Sequence, residues 1–270
     1  MTANPIHHLY LSPHLDDAVY SCGASIYRQC QRGERVRVVT ICAGEAPQSP
    51  LSEFAQLLHS RWEQSAGVAI ANIIASRRAE DQMALQRLGA EMGYFAELDC
   101  IYRRAEDGRW LYPSRESIFG EVASAELAQL GKLVVDWQAL DGITSETCIY
   151  SPLAIGNHVD HQRVFHAARL WQAQSGLKFR YYEDFPYASL ARQSDIWQAR
   201  AEWQRRVSGW QMEFEMLTPA DLQAKALAMS DYVSQFGSFW RDSTHLLDEI
   251  YQHARLYDGY GLCERFWLIP

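Results

Sequence analysis

The chain has 270 residues, of which 48% are hydrophobic, and a formal net charge of −8 at pH 7. This length and composition suffice for one large core, so we expect a single domain over residues 1–270. The acidic balance argues against a polyanion-binding surface, and nucleic acid is not an expected partner. No apolar run reaches the roughly 18 residues of a membrane helix, and no secretory leader is evident. We therefore expect no membrane span and a cytoplasmic protein.

The first elements along the chain predict a βαβ unit. A β-prone apolar run over residues 8–12 is followed by a helical pattern over 18–32, which ends at Gly33. The segment Val36–Thr40 is rich in β-branched residues and reads as a second strand. A strand, a helix and a strand within about 30 residues indicate parallel pairing.

The rest of the chain continues this alternation. We expect helices over residues 57–74, 76–93, 121–140, 161–174, 219–235 and 243–256, and strands over 94–98, 148–151, 179–182 and 211–217. Asp99 would then lie at a strand end. The pattern predicts an α/β fold, a Rossmann-like three-layer α/β/α sandwich with a mostly parallel sheet. Its six cysteines are scattered without a C-x-x-C pair, which predicts reduced, unpaired thiols.

Two polar loops carry the chemistry. One directly follows the first strand and the other follows the strand at 148–151; their polar residues are His14, Asp16 and Asp17, and His158, Asp160 and His161. The carboxyl ends of parallel strands meet at one edge of a sheet, so we expect the loops to lie close together. Imidazole with carboxylate is typical of a zinc site, and a further carboxylate could act as a base. The aspartates could equally cap the helices that follow them.

The motifs Ser12-Pro13-His14-Leu15-Asp16-Asp17 and His158-Val159-Asp160-His161 resemble those of the PIG-L/LmbE family of zinc-dependent N-deacetylases. That family has a His-Pro-Asp-Asp type loop after its first strand and an H-x-D-H loop later. Weaker similarities are Arg77-Arg78-Ala79-Glu80, Leu98-Asp99, and a Lys-Ala-rich helix from Lys225 that closes in Ser234-Gln235. Tyr232 stands where the family often has His.

The resemblance implies a role for each of these residues. His14, Asp17 and His161 would bind Zn²⁺, or possible substitutes such as Fe²⁺ or another divalent transition metal, and Asp16 would be the general base. His158 would stabilise the oxyanion as imidazolium or protonate the leaving amine, with Asp160 accepting its ring N–H. Arg77, or its neighbour Arg78, and Asp99 would hold sugar hydroxyls, although a salt bridge on the helix surface is an equal alternative for the arginines. Glu183 and Asp184 at a later strand end could line the rim, although capping the next segment is an alternative.

The implied function is hydrolysis of the N-acetyl or N-acyl group of a glucosamine-type sugar or glycoconjugate, which would be a small-molecule partner. A homo-oligomer is compatible with the sequence. One alternative is a catalytically silent sugar- or nucleotide-binding module on the same fold. Another is Mg²⁺-dependent phosphoryl hydrolysis, although Mg²⁺ favours oxygen-rich sites over two imidazoles.

Overall fold

A computed structural model describes residues 5–67, 69, 72–189, 209–255 and 261–270. Within them, the strands form one seven-stranded sheet in the order β3-β2-β1-β4-β5-β7-β6. The strands are β1 (His8–Ser12), β2 (Val36–Thr40), β3 (Glu91–Tyr94), β4 (Cys148–Pro152), β5 (Lys178–Tyr182), β6 (Gln211–Leu217) and β7 (Leu262–Leu268). Strands β1 to β5 pair in parallel, and β7 pairs antiparallel with β5 and β6. The predicted mostly parallel sheet is confirmed.

Strand order places the two polar loops side by side. The chain builds the sheet outward from β1 through β2 to β3, and then returns to the other side of β1 with β4. His8 in β1 is aligned with Val36 of β2 on one side and with Cys148 of β4 on the other. The loops after β1 and β4 therefore flank the switch point of the sheet, where ligands bind in open α/β folds.

Helices cover both faces of the sheet. They are α1 (Asp17–Gln31), α2 (Glu53–Ala66), α3 (Ile73–Leu88), α4 (Arg115–Ile118), α5 (Ser124–Leu127), α6 (Leu130–Gln138), α7 (Val159–Gln174), α8 (Pro219–Met229), α9 (Val233–Phe239) and α10 (Ser243–Ala254). In β1, Tyr10 packs in a core with helices α1, α3, α8 and α10, while Leu9 and Leu11 pack on the other face with α6 and α7. Successive strand residues point to opposite faces, so β1 is buried on both sides. The three-layer α/β/α architecture is confirmed.

Several predicted boundaries are wrong. The strand expected over residues 94–98 lies at Glu91–Tyr94, because helix α3 ends earlier, at Gly89 with φ of 83°. Asp99 is consequently not at a strand end but precedes a short 3₁₀ helix, Cys100–Tyr102. The helices expected over 121–140 and 219–235 are each two shorter helices, and β7 was not predicted.

Two other expectations can be compared with the structure. All six cysteines are described and none is in a disulfide, as predicted. Among the described residues, no helix combines the length and the apolar character needed to cross a bilayer.

Candidate metal centre

The loop after β1 is shaped by its own polar groups. The Ser12 hydroxyl donates to the His14 carbonyl over 2.6 Å and accepts from the Ala18 backbone N–H over 3.0 Å. This arrangement turns the chain between the strand and α1. It brings His14, Asp16 and Asp17 to the carboxyl end of the sheet.

One carboxylate oxygen faces both predicted histidine ligands. Asp17 Oδ2 lies 3.1 Å from His14 Nδ1 and 3.2 Å from His161 Nε2. Two ligands at tetrahedral positions on zinc are about 3.4 Å apart, given bonds of about 2.1 Å. A ligand nitrogen of His158 also lies within 4.8 Å of those of His14 and His161. The chemistry of this donor set, two imidazoles and one carboxylate, suits a divalent transition metal.

The outer nitrogen of each of these histidines meets a buried carboxylate. His14 Nε2 lies 3.0 Å from Asp160 Oδ2, and His161 Nδ1 lies 2.6 Å from Asp184 Oδ1. Asp160 is fully buried and Asp184 is 1% exposed. Carboxylates in this position fix the ring orientation of metal-binding histidines and make them more basic. Both inner nitrogens are thus turned towards Asp17.

This geometry corrects the role predicted for Asp160. Its carboxylate contacts His14, the Cys100 backbone N–H at 3.0 Å and Arg103 at 2.6 Å, and no hydrogen bond joins it to the His158 ring within the described part of the chain. The prediction paired Asp160 with His158, two residues away in the sequence. However, helix α7 turns the Asp160 side chain across to the first loop.

Asp16 has the environment of a base rather than of a helix cap. It occupies the position before α1, yet its side chain makes no capping hydrogen bond, and no hydrogen bond or ion pair to it is found among the described residues. The charges of Arg77, His14 and His161 act on it from a greater distance. It is 7% exposed. Burial, with the neighbouring Asp17 charge, raises the pKa of Asp16 to about 7. The capping alternative is therefore wrong for this side chain.

His158 is a neutral donor, which corrects the prediction that it acts as an imidazolium. The Asp160 backbone N–H donates to His158 Nδ1 over 3.3 Å, which leaves the ring proton on Nε2. Burial lowers the pKa of His158 well below its usual value, and the nearby His14 lowers it further. The Phe119 ring packs edge-on against it, with centroids 5.4 Å apart. His158 is thus suited to hydrogen-bond an oxygen that gains negative charge.

The two arginines predicted to bind sugar lie in different surroundings. Arg77 is 6% exposed, with its guanidinium 4.6 Å from the Trp62 ring centroid, and no hydrogen bond to it is found within the described ranges. Arg78 instead donates to the Ala43 carbonyl and pairs with Glu45 at 2.8 Å. Arg78 therefore holds the loop after β2, and Arg77 is the candidate that remains available to a ligand.

Three more acidic or phenolic positions are also placed. Asp99 accepts from the Ile101 N–H through Oδ1, while its Oδ2 lies 3.9 Å from His14 Nε2, beside the site. Glu183 does not line a rim, since it is buried and contacts Arg265 and Trp267. Tyr232 is buried and donates to Asp81 over 2.7 Å. This position is part of the core in this chain.

Sequence reasoning missed Arg103 and gave Asp184 the wrong role. The only signal for Asp184 was its position after a strand, and the capping alternative is wrong because its oxygens meet His161 and the Ile155 N–H. Arg103 had no signal, because it lies in a turn-rich segment that reads as an exposed loop. Its contact with Asp160 depends entirely on the tertiary structure.

The chain is similar to known deacetylases in sequence and in fold. Curated 2'-N-acetylparomamine deacetylase from Niallia circulans is 26% identical over 238 residues, covering 84% of this chain and 80% of that protein. The zinc-inhibited form of teicoplanin deacetylase Orf2 is similar with a TM-score of 0.77 and 29% identity, over 96% of each chain. The complex of a deacetylase with teicoplanin gives a TM-score of 0.76 and 28% identity, also over 96% of each chain.

The family model described as GlcNAc-PI de-N-acetylase matches residues 9–171, which is more than half of the chain. The match includes both histidine loops. The family predicted from the motifs is confirmed: the chain belongs to the PIG-L family of N-deacetylases.

Proposed function

We propose that the protein is a zinc-dependent hydrolase that removes the N-acetyl group of an amino sugar, either free or within a glycoconjugate. The observation that carries the proposal is the nearly buried carboxylate of Asp16, which makes no hydrogen bond or ion pair among the described residues, beside a donor set of two imidazoles and a carboxylate. Similarity to deacetylases named for paromamine and teicoplanin supports the substrate class.

We propose that His14, Asp17 and His161 hold the metal. A bound zinc ion would supply Lewis acidity and lower the pKa of a water molecule to about 7. Two imidazoles favour zinc or another late transition metal over Mg²⁺, which makes the phosphoryl-transfer alternative weaker. Asp160 and Asp184 hold the two histidine rings in place.

The remaining residues act on the substrate and on protons. Asp16 takes a proton from the attacking water and, as the neutral acid, delivers it to the departing amine. His158 Nε2–H donates to the carbonyl oxygen as that oxygen gains charge. Arg77 and Asp99 contact sugar hydroxyls from the side of the site nearest Asp16 and His14. A silent binding module would not need a nearly buried carboxylate without a hydrogen-bond partner, because burying such a group is energetically unfavourable.

The test is acetate release by protein of defined metal content. The chain is stripped with a chelator, reloaded with one equivalent of zinc, and incubated with N-acetylglucosamine, its glycosides and N-acetylated aminoglycosides. We expect one tightly held metal per chain and release of equal amounts of acetate and free amine. Zinc is kept at one equivalent, because a similar enzyme is known in a zinc-inhibited form.

Two variants on the same helix provide the controls. His161→Ala should lose the metal and the activity. His166→Ala, at an exposed position one turn further along α7, should retain both. If the zinc-loaded parent releases acetate from none of the acylated amino sugars, the binding module is favoured. Full metal content in both His14→Ala and His161→Ala would contradict the assigned ligands.

A further inference from the structure

A row of buried charged groups extends from the candidate metal centre into the protein. It starts at Asp160, whose Oδ2 accepts from His14 Nε2 and from the Cys100 backbone N–H, each over 3.0 Å. The other oxygen, Oδ1, lies 2.6 Å from Arg103 Nη2. Asp160 is fully buried and Arg103 is 9% exposed. One carboxylate thus links the first histidine loop to the segment after β3.

Arg103 is itself fixed from its opposite side. Its Nε lies 2.7 Å from Glu126 Oε1, and Glu126 Oε2 accepts from the Tyr112 hydroxyl over 2.5 Å. The guanidinium carbon lies 5.3 Å from the Tyr112 ring centroid. Two carboxylates and an aromatic face therefore surround the cation and define its position through ion pairs, while Arg103 Nε and Nη2 make no directed hydrogen bond.

The arrangement has a clear electrostatic purpose. A fully buried carboxylate is unfavourable unless a cation compensates its charge. Removing one partner of a buried ion pair is therefore strongly destabilising, because the desolvation cost of the remaining charge is no longer compensated. Without Arg103, Asp160 would retain only His14 and one backbone N–H to hold it. Its charge would then be buried with less compensation, and the orientation of the carboxylate that accepts from the His14 ring would be less fixed.

We propose that Arg103 is a positioning residue for the metal centre. It holds Asp160, Asp160 orients His14, and the affinity for the metal depends on this sequence of contacts. The inference rests on the proposed function, since it takes His14 as a ligand. Arg103 itself does not touch the site of reaction. Its effect should therefore appear in metal binding before it appears in turnover.

The test compares three variants by zinc affinity, measured by competition with a chromogenic chelator. Arg103→Met removes the cation but retains much of its volume. Arg103→Lys keeps the charge without the planar group that reaches both carboxylates. Arg163→Met is the matched control, because Arg163 is equally buried and pairs with Glu97 at 2.6 Å. No contact of Arg163 with Asp160 is found in the described structure.

We expect Arg103→Met to weaken zinc binding roughly 10- to 100-fold, as is typical when an outer partner of a metal-binding histidine is lost. Arg103→Lys should lie between that variant and the parent, and Arg163→Met should bind zinc as the parent does. With zinc saturating, the turnover of Arg103→Lys should fall much less than its affinity. Melting temperatures of the metal-free proteins report any general loss of stability.

Three outcomes would overturn the inference. The first is a zinc affinity of Arg103→Met equal to that of the parent. If Arg103→Met fails to fold, the second is an affinity of folded Arg103→Lys equal to that of the parent. The third is a loss of affinity in Arg163→Met as large as that in Arg103→Met. Failure of the proposed function looks different, because the parent itself would then bind no zinc or release no acetate.

Discussion

Replacement of Asp16 by Asn separates the tasks of the two adjacent carboxylates. Asp17 Oδ2 lies within 3.2 Å of three groups: the His14 backbone N–H, His14 Nδ1 and His161 Nε2. No hydrogen bond or ion pair of the Asp16 side chain is found among the described residues, so its charge can be removed without breaking such a contact, and only its longer-range attraction to Arg77, His14 and His161 is lost. Asp16→Asn should therefore retain zinc, because the contacts of Asp17 with both histidines are left intact.

The expected loss is in turnover. A general base contributes roughly 10²- to 10⁴-fold to kcat, which corresponds to about 3 to 5 kcal/mol of activation free energy. Asp17→Asn should instead lose zinc affinity and activity together. The assay is acetate release at saturating N-acetyl sugar, alongside chelator competition for zinc. If zinc-loaded Asp16→Asn turns over within about threefold of the parent, the assignment of the base is refuted.

Two further predictions concern stability. Glu264→Leu removes the carboxylate that lies 2.7 Å from the buried Lys225 ammonium. Loss of one partner of a buried pair costs about 3–5 kcal/mol of unfolding free energy, which should lower Tm by roughly 6–20 °C. Adding Lys225→Met should restore part of the loss, whereas additive losses in the double variant would show that the pair is not coupled. Asp81→Asn should stabilise the protein at pH 8 but not at pH 4, because burial raises the pKa of Asp81 from 3.8 to about 6. The folded state then binds the proton more tightly than the unfolded state, so the stability of the parent falls by up to about 3 kcal/mol as the pH rises from about 4 to about 6. A Tm difference between parent and variant that is the same at pH 4 and pH 8 would contradict this.

The sequence predicted the site best where the signal was local. His14 and His158 each follow an apolar strand directly, and the order of the strands brings the two loops together. Local signals failed where a contact spans a long stretch of chain. Asp184 lies 23 residues from His161, and Arg103 lies further still from Asp160. No periodicity reports such a contact, because it is formed only by tertiary packing.

Strand β7 shows a second cause of failure. Its sequence places Glu264 and Arg265 in the middle of an apolar run, where charges argue against a buried strand. Both side chains are buried, however, and each meets an opposite charge, Lys225 and Glu183 respectively. The partners come from distant elements, so the charges look unfavourable in the sequence and are satisfied in the fold.

The hydrogen bond between His161 and Asp184 has a consequence for how such enzymes diverge and can be engineered. The part of the chain that matches the family model ends at residue 171, whereas Asp184 and the charged residues of β7 lie beyond it. The groups that define the chemistry and some of those that adjust it are thus encoded in separate parts of the gene. If His161 holds the metal, we expect that replacing the portion after residue 171 with one that lacks the Asp184 carboxylate would weaken metal binding while His14, Asp17 and His161 stayed the same. Two chains with identical histidine motifs can therefore differ in the metal concentration at which they work.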